Sequence, residues 1–255
     1  MGEELSEVAL IQGASRGIGL ALVEALLTRS RVKRVIATSR NPQASKGLTR
    51  LKAEHGDRLD TASLDLNDEA SIANATDQIR QEGVHRIHWL FNCAGVLHDE
   101  QGLAPEKRLE DITAESLEKV FRVNAFGPLL MAKHLLPFLR HPDRAILVNL
   151  SARVGSIEDN RLGGWYGYRA SKAAQNMMTR TIAIELSRRA RNVICVAMHP
   201  GTVDTDLSRP FQRGVPEDQL FSANRAAAQL LRVAENCSAE HHGCFLAWDG
   251  QPIPW

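Results

Sequence analysis

The chain of 255 residues lacks most of the features that mark a specialised class. Its net charge is only +1, so no bulk electrostatic attraction to nucleic acid or to an anionic membrane is expected. No apolar run is long enough to span a bilayer. The opening segment, Met1 to Val8, is acidic and has no apolar centre, unlike a secretory signal. Cysteine is scarce. Cys93, Cys195, Cys237 and Cys244 show neither a C-x-x-C pair nor metal-ligand spacing, and Cys93 and Cys195 sit in apolar runs where reduced thiols are buried. His88, His134 and His199 also lack ligand spacing, and no metal is expected. No repeat, low-complexity stretch or Gly/Ser linker divides the chain. With these features absent, a cytoplasmic protein of one domain, residues 1–255, is expected.

What is present is ordinary core material, 44% hydrophobic and 24% charged, arranged in a strict alternation. Strand patterns cover 8–12, 34–39, 59–65, 87–93, 145–151, 192–199 and 243–248. Helical patterns lie between them, at 18–29, 44–55, 68–81, 114–139, 166–189 and 223–235. Strands alternating with helices imply right-handed βαβ units and a parallel sheet covered on both faces. Runs such as VALIQ and NVICVAM are apolar without alternation, as strands buried on both sides are. The expected fold is α/β: one doubly wound Rossmann domain with a seven-stranded parallel sheet and its ligand at the carboxyl ends of the strands.

The first strand runs into GASRGIG and then directly into a helix. Glycine lets backbone approach a pyrophosphate, and the free N–H groups of the helix start face the anion. The spacing, G-x-x-x-G-x-G, differs from the commoner G-x-G-x-x-G. Dinucleotide folds that prefer NAD place an acid at the end of the second strand to hold ribose hydroxyls. Here that place reads Ser39-Arg40, and Arg16 sits inside the glycine turn. Two guanidinium groups and a hydroxyl suit a 2′-phosphate, so NADP(H) is the expected cofactor, with NAD(H) as the lesser option.

The segment YGYRASK opens a long helical pattern with Tyr168 and Lys172 four apart, stacked on one face. Tyr166 has no such partner, since residue 170 is alanine. A phenol ionises near 10, and bringing it to about 7 takes about 4 kcal/mol. A close ammonium in a partly desolvated site supplies interaction of that order, and such a tyrosine can exchange a proton with a substrate oxygen.

These segments together resemble the short-chain dehydrogenase/reductases. The resemblance rests on Gly13-Ala-Ser-Arg-Gly17-Ile-Gly19, Asn92-Cys-Ala94-Gly95, Asn124, Ser151, Tyr168 with Lys172, and Pro200-Gly201-Thr-Val-Asp-Thr205, in family order over essentially the whole chain. SARVGSIEDNRLGGWYGYRASKAA and the ending FLAWDGQPIPW look more narrowly like the C-factor and sniffer-like carbonyl reductase branch. The resemblance implies an oxidoreductase that moves hydride between the nicotinamide and a small carbonyl or alcohol substrate. Tyr168 would be the general acid/base. Lys172 would tune it and hold the ribose, Ser151 would orient the carbonyl, and Asn124 would support Lys172 through a water. Cofactor contacts are implied for Gly13, Ser15, Arg16, Gly17, Ile18, Gly19, Ser39, Arg40, Asp65, Leu66, Asn92, Ala94 and Gly95. They are implied equally for Tyr168, Lys172, Pro200, Gly201, Val203 and Thr205. A substrate lid is expected near 201–222. Homodimers or homotetramers, packed through the helices at 114–139 and 166–189, are implied as well. The alternative is a C-factor-type signalling or sensor protein that binds NAD(P) with little turnover.

The sequence departs from the family at two points. The usual threonine before the first glycine is Gln12. At the end of the fifth strand the text is VNLSARVGS, where the family carries a pair of small hydroxyl residues. Alignment on the following glycine puts the second of the pair at Ala152, and counting from Asn124 puts it at Ser151. A shift of one residue reverses every side chain, so only one register aims a hydroxyl at the substrate. Ser151 is expected, with Ser156 as the alternative. Trp165, Phe211 and Trp248 are candidates for an apolar pocket wall or for plain packing.

Overall fold

The computed structural model describes residues 6–255, so most of the opening segment compared above with a signal lies outside the described residues. The strands are β1 (Glu7–Gln12), β2 (Val32–Ser39), β3 (Leu59–Ser63), β4 (Trp89–Asn92), β5 (Ala145–Leu150), β6 (Val193–His199), β7 (Thr202–Val203), β8 (Leu220–Phe221) and β9 (Phe245–Ala247). The helices are α1 (Gly17–Leu27), α2 (Lys46–His55), α3 (Glu69–Gln81), α4 (Ala114–Phe121), α5 (Gly127–Leu139), α6 (Tyr166–Arg189) and α7 (Ala223–Asn236).

The unbroken apolar runs form strands because both faces of the sheet are covered. Ala9 and Ile11 join a core with α1 and α7, while Leu10 between them joins a second core with α3, α5 and α6. The result is a seven-stranded parallel sheet in the order β3-β2-β1-β4-β5-β6-β9. The chain leaves β3 at one edge and returns as β4 beside β1. This reversal of direction between β1 and β4 opens a crevice at the carboxyl ends of the strands.

Two expectations need correction. Strand β3 stops at Ser63, not 65, because its neighbour β2 ends at Ser39; Asp65 therefore lies in the loop. The continuous helix expected over 114–139 is broken by a widened turn at Arg122–Phe126, where the Gly127 N–H bonds back to the Arg122 carbonyl five residues earlier. Proline at 128 explains the break, since it has no N–H to offer the Asn124 carbonyl.

One feature had no counterpart in the sequence patterns. Strands β7 and β8 pair in parallel, and the Asp204 N–H bonds to the Phe221 carbonyl, so the segment between them is stapled at its base. Among the described residues no helix is long and apolar enough to cross a membrane.

Candidate active site

A cleft of about 1730 Å³ lies along the carboxyl ends of the strands. Ser39, Arg40, Asp65 and Leu66 line the end beside β2 and β3, and Ser151, Tyr168 and Lys172 line the end beside β5 and α6.

Tyr168 is placed by an unusual helix start. Trp165 is the only described non-glycine residue with positive φ, at 53°, and it follows two left-handed glycines, Gly163 and Gly164. No side chain next to the helix caps it. Glu106, buried in the loop after β4, does so instead, accepting the Gly167 N–H at 3.1 Å through its carboxylate. Its backbone carbonyl accepts the Trp165 N–H. The Trp165 ring then meets Tyr168 edge-on, with centroids 6.2 Å apart, and Phe211 of the stapled segment at 4.9 Å.

One turn later Lys172 is 3% exposed, and its Nζ donates to the Leu150 carbonyl at 2.7 Å and to Gln175 Oε1 at 3.0 Å. Burial pulls its pKa down to about 7. Burial pushes the Tyr168 phenol up to about 12. In the chain alone, loss of solvent outweighs the expected lowering of Tyr168 by Lys172.

Ser151 follows the last residue of β5 and reaches the cleft, and its hydroxyl donates to Asn176 Oδ1 at 2.6 Å. Ser156, the alternative, is turned away: its oxygen accepts the Asp159 N–H, and its hydroxyl donates to the Trp255 carbonyl at 3.3 Å. Asn124 does not line the cleft. It is fully buried in the widened turn, where Oδ1 accepts the Val96 N–H at 2.8 Å and Nδ2 donates to the Val96 carbonyl and to Ser171. Its side chain is spent on holding the loop after β4, so only its backbone carbonyl is left without the usual helical donor.

The opposite end of the cleft fits a phosphorylated dinucleotide. Gly13 has φ of +80°, and a Cβ there would meet Ala94 N at 2.6 Å. A Cβ on Gly19 would meet the Gly13 carbonyl at 2.2 Å. No side chain caps the start of α1, so its N–H groups are available to an anion. Ser39 holds a buried hydroxyl with no partner, and Arg40 is exposed at the rim. Ser15, Arg16, Gly17, Ile18, Ala94, Gly95, Pro200 and Thr205 also line the cleft. Asn92, Gly201 and Val203 lie behind this lining. Asn92 is buried and ties β4 to β5 by donating to Asn149 Oδ1 at 2.7 Å. Gly201 lies against the Phe221 ring, which a Cβ would meet at 2.6 Å, and Val203 is buried in β7.

Residues 7–215 match the short chain dehydrogenase family. The chain belongs to that family. Among solved structures, this dehydrogenase is similar to the NADPH-bound carbonyl reductase from chicken fatty liver, with a TM-score of 0.86 and 30% identity over 98% of this chain and 99% of that one. It is also similar to the carbonyl reductase Sniffer of D. melanogaster, with a TM-score of 0.85 and 26% identity over 98% and 100%. A Myxococcus xanthus protein, C-signal, is 34% identical over 147 residues, 58% of this chain and 83% of that protein.

Several residues of this dehydrogenase's site carried no sequence signal. Glu106, Asp206 and Gln175 act on the site from a loop, the stapled segment and the far side of Lys172. Away from the cleft, His88, His141 and Asp143 converge, with His88 Nε2 and His141 Nδ1 at 3.8 and 3.7 Å from Asp143 Oδ2. His88 Nδ1 accepts the Val8 N–H at 3.1 Å, which leaves its proton on Nε2 and no lone pair there for a metal.

Proposed function

We propose that this short-chain dehydrogenase is an NADP(H)-dependent carbonyl reductase. The observation that carries the reading is the burial of Tyr168 and Lys172, one turn apart, in the wall of a cleft whose far end presents Ser39 and Arg40. When bound, the dinucleotide supplies or accepts the hydride at the substrate's carbonyl carbon. The chain's own residues do the rest. Tyr168 gives its phenolic proton to the carbonyl oxygen, so that the product is an alcohol. Ser151 turns its O–H from Asn176 toward the same oxygen and fixes its direction. Lys172 uses its remaining N–H for the ribose. Ser39, Arg40 and Arg16 favour a 2′-phosphate over a free hydroxyl.

Burial favours the protonated phenol, which is the form that a reduction consumes. Oxidation of an alcohol needs the phenolate first. The stapled segment would serve as the substrate lid, with Phe211 against Trp165. Four unpaired thiols support a reducing, cytoplasmic setting.

The likeness to C-signal favours a second reading, in which the chain binds the dinucleotide as a signalling protein without significant turnover. One experiment separates the two. NADPH consumption is followed with a panel of aldehydes, ketones, quinones and diketones, beside Tyr168→Phe and Arg40→Ala. The reductase reading expects turnover that vanishes in Tyr168→Phe, and an NADPH preference that collapses in Arg40→Ala. Tight NADPH binding with no turnover of any panel member would favour the signalling reading.

A further inference from the structure

We propose that Gln175 is the positioning residue of Lys172: its side-chain oxygen fixes the ammonium against the end of β5 and leaves one N–H free for the cleft. The inference rests on the proposed function only in giving Lys172 its importance.

A lysine ammonium has three N–H donors. Here two are spent inside the protein, on the Leu150 carbonyl at 2.7 Å and on Gln175 Oε1 at 3.0 Å. Gln175 stands three residues after Lys172 and so lies over it on the same helix face. Its own turn is anchored to the sheet. Thr179 Oγ1 donates to the Gln175 carbonyl at 2.8 Å and accepts from Asn149 Nδ2 at 2.9 Å, and Asn149 in turn holds Asn92.

The arrangement comes at a cost to stability. Gln175 is 1% exposed, and its Nε2 has no partner. A buried amide nitrogen without an acceptor destabilises the fold. Flipping the amide gives no relief, because it would press an NH₂ against the ammonium. A leucine would fill similar space with no orphaned group. A polar side chain that is half satisfied, with its satisfied half on the Lys172 nitrogen, is expected where function outweighs packing.

The titratable groups facing Lys172 are Tyr168 on its own helix, with the ring centroid 5.9 Å from Nζ, and Cys93 beyond the end of β4. Neither is an anion at neutral pH, since burial holds both in the protonated form. The two oxygen acceptors are therefore what favours the charged amine against burial. Removing one lowers the pH at which the charge is lost, and replacing it with a carboxylate raises that pH.

The test needs neither cofactor nor turnover. The full chain is labelled at lysine Cε and titrated by NMR as wild type, Gln175→Leu and Gln175→Glu, with Lys172→Met assigning the resonance. The expected result is a titration midpoint about one pH unit lower in Gln175→Leu and about one higher in Gln175→Glu. The thermal midpoint of Gln175→Leu should be unchanged or higher. Identical Lys172 midpoints in all three proteins, with Gln175→Leu less stable, would reduce Gln175 to a packing residue and overturn the proposal. If Gln175→Leu does not fold, Gln175→Glu and Gln175→Asn decide it by the same midpoint. Failure of the reductase reading is seen separately, as absent turnover beside shifted midpoints.

Discussion

Arg16 Nη1 lies 3.0 Å from Asp206 Oδ2, so the glycine turn before α1 is tied to the stapled segment between β7 and β8. Arg209 holds the other oxygen of the same carboxylate at 2.9 Å. A 2′-phosphate that recruits Arg16 must therefore draw it from a carboxylate, and that carboxylate repels the phosphate. Asp206→Asn removes both effects. Exposed pairs of this kind are worth about 0.2–1 kcal/mol, so NADPH affinity should rise by a factor between about 1.4 and 5. NADH affinity should stay nearly constant. Fluorescence titration of both dinucleotides at two salt concentrations checks this, and an equal change for both would remove Arg16 from the 2′-phosphate site.

Glu106 governs the start of the helix that carries Tyr168 and Lys172. Its carboxylate replaces the missing cap of α6, and the space is tight, since a Cβ on Gly167 would meet Glu106 Oε1 at 2.9 Å. Glu106→Ala orphans a buried N–H and should cost about 1–3 kcal/mol. In a chain of this size that lowers the thermal midpoint by roughly 2–10 °C. Glu106→Gln keeps an acceptor oxygen and should recover most of the loss. Thermal melts of the three proteins decide it, and equal melting of wild type and Glu106→Ala would assign the helix start to Trp165 and the two glycines alone.

The legible parts of this molecule are those set by local spacing. Unalternating apolar runs gave the strands and their burial, and a four-residue interval gave the Tyr168–Lys172 stack. Glycine spacing gave the close backbone approach at Gly13 and Gly19. The register at Ser151 could be argued because one residue of slippage would have turned its hydroxyl to the opposite face. The widened turn at Asn124 was recoverable only from Pro128, a residue that removes one hydrogen bond rather than adding one. Glu106, Asp206 and Gln175 were illegible for a common reason. Each acts through a polar contact that neither hydrophobic period nor turn chemistry records, and two of them reach the site from loops far away in sequence. Asn92, Gly201 and Val203, for which the resemblance implies cofactor contact, are turned inward by strand pairing and by the Phe221 ring.

Tyr168 and Lys172 also set a pH dependence of stability. Lys172 falls from 10.5 to about 7 on folding, so between these values the unfolded chain binds more protons, and stability rises with pH across that window. Tyr168 rises from 10.0 to about 12, so above pH 10 the folded chain binds more protons and stability falls. Below pH 7 the Lys172 penalty is present in full. Thermal melts of wild type and Lys172→Met between pH 6.5 and 9.5 should show wild type gaining on the variant as pH rises. A constant difference across the series would mean that Lys172 stays charged throughout.

Met177 and Ile184, seven residues apart on α6, are 67% and 52% exposed, so this apolar stripe does not pack on the protein's own sheet. Thr179, Ala183 and Leu186 face inward instead. Phe126 and Leu129 are also partly exposed, at the end of the widened turn and the start of α5, a helix that packs beside α6. Single exposed apolar residues are ordinary, but four on adjoining helices suit a surface covered by a second copy of the chain. A glutamate at the centre of such an interface leaves a buried charge without a partner, which costs several kcal/mol per interface. Met177→Glu combined with Ile184→Glu should therefore turn a dimer or tetramer into a monomer that keeps its secondary structure. Light scattering after size-exclusion chromatography measures this, and a wild-type chain that elutes as a monomer at tens of micromolar would leave the stripe without a partner of its own kind.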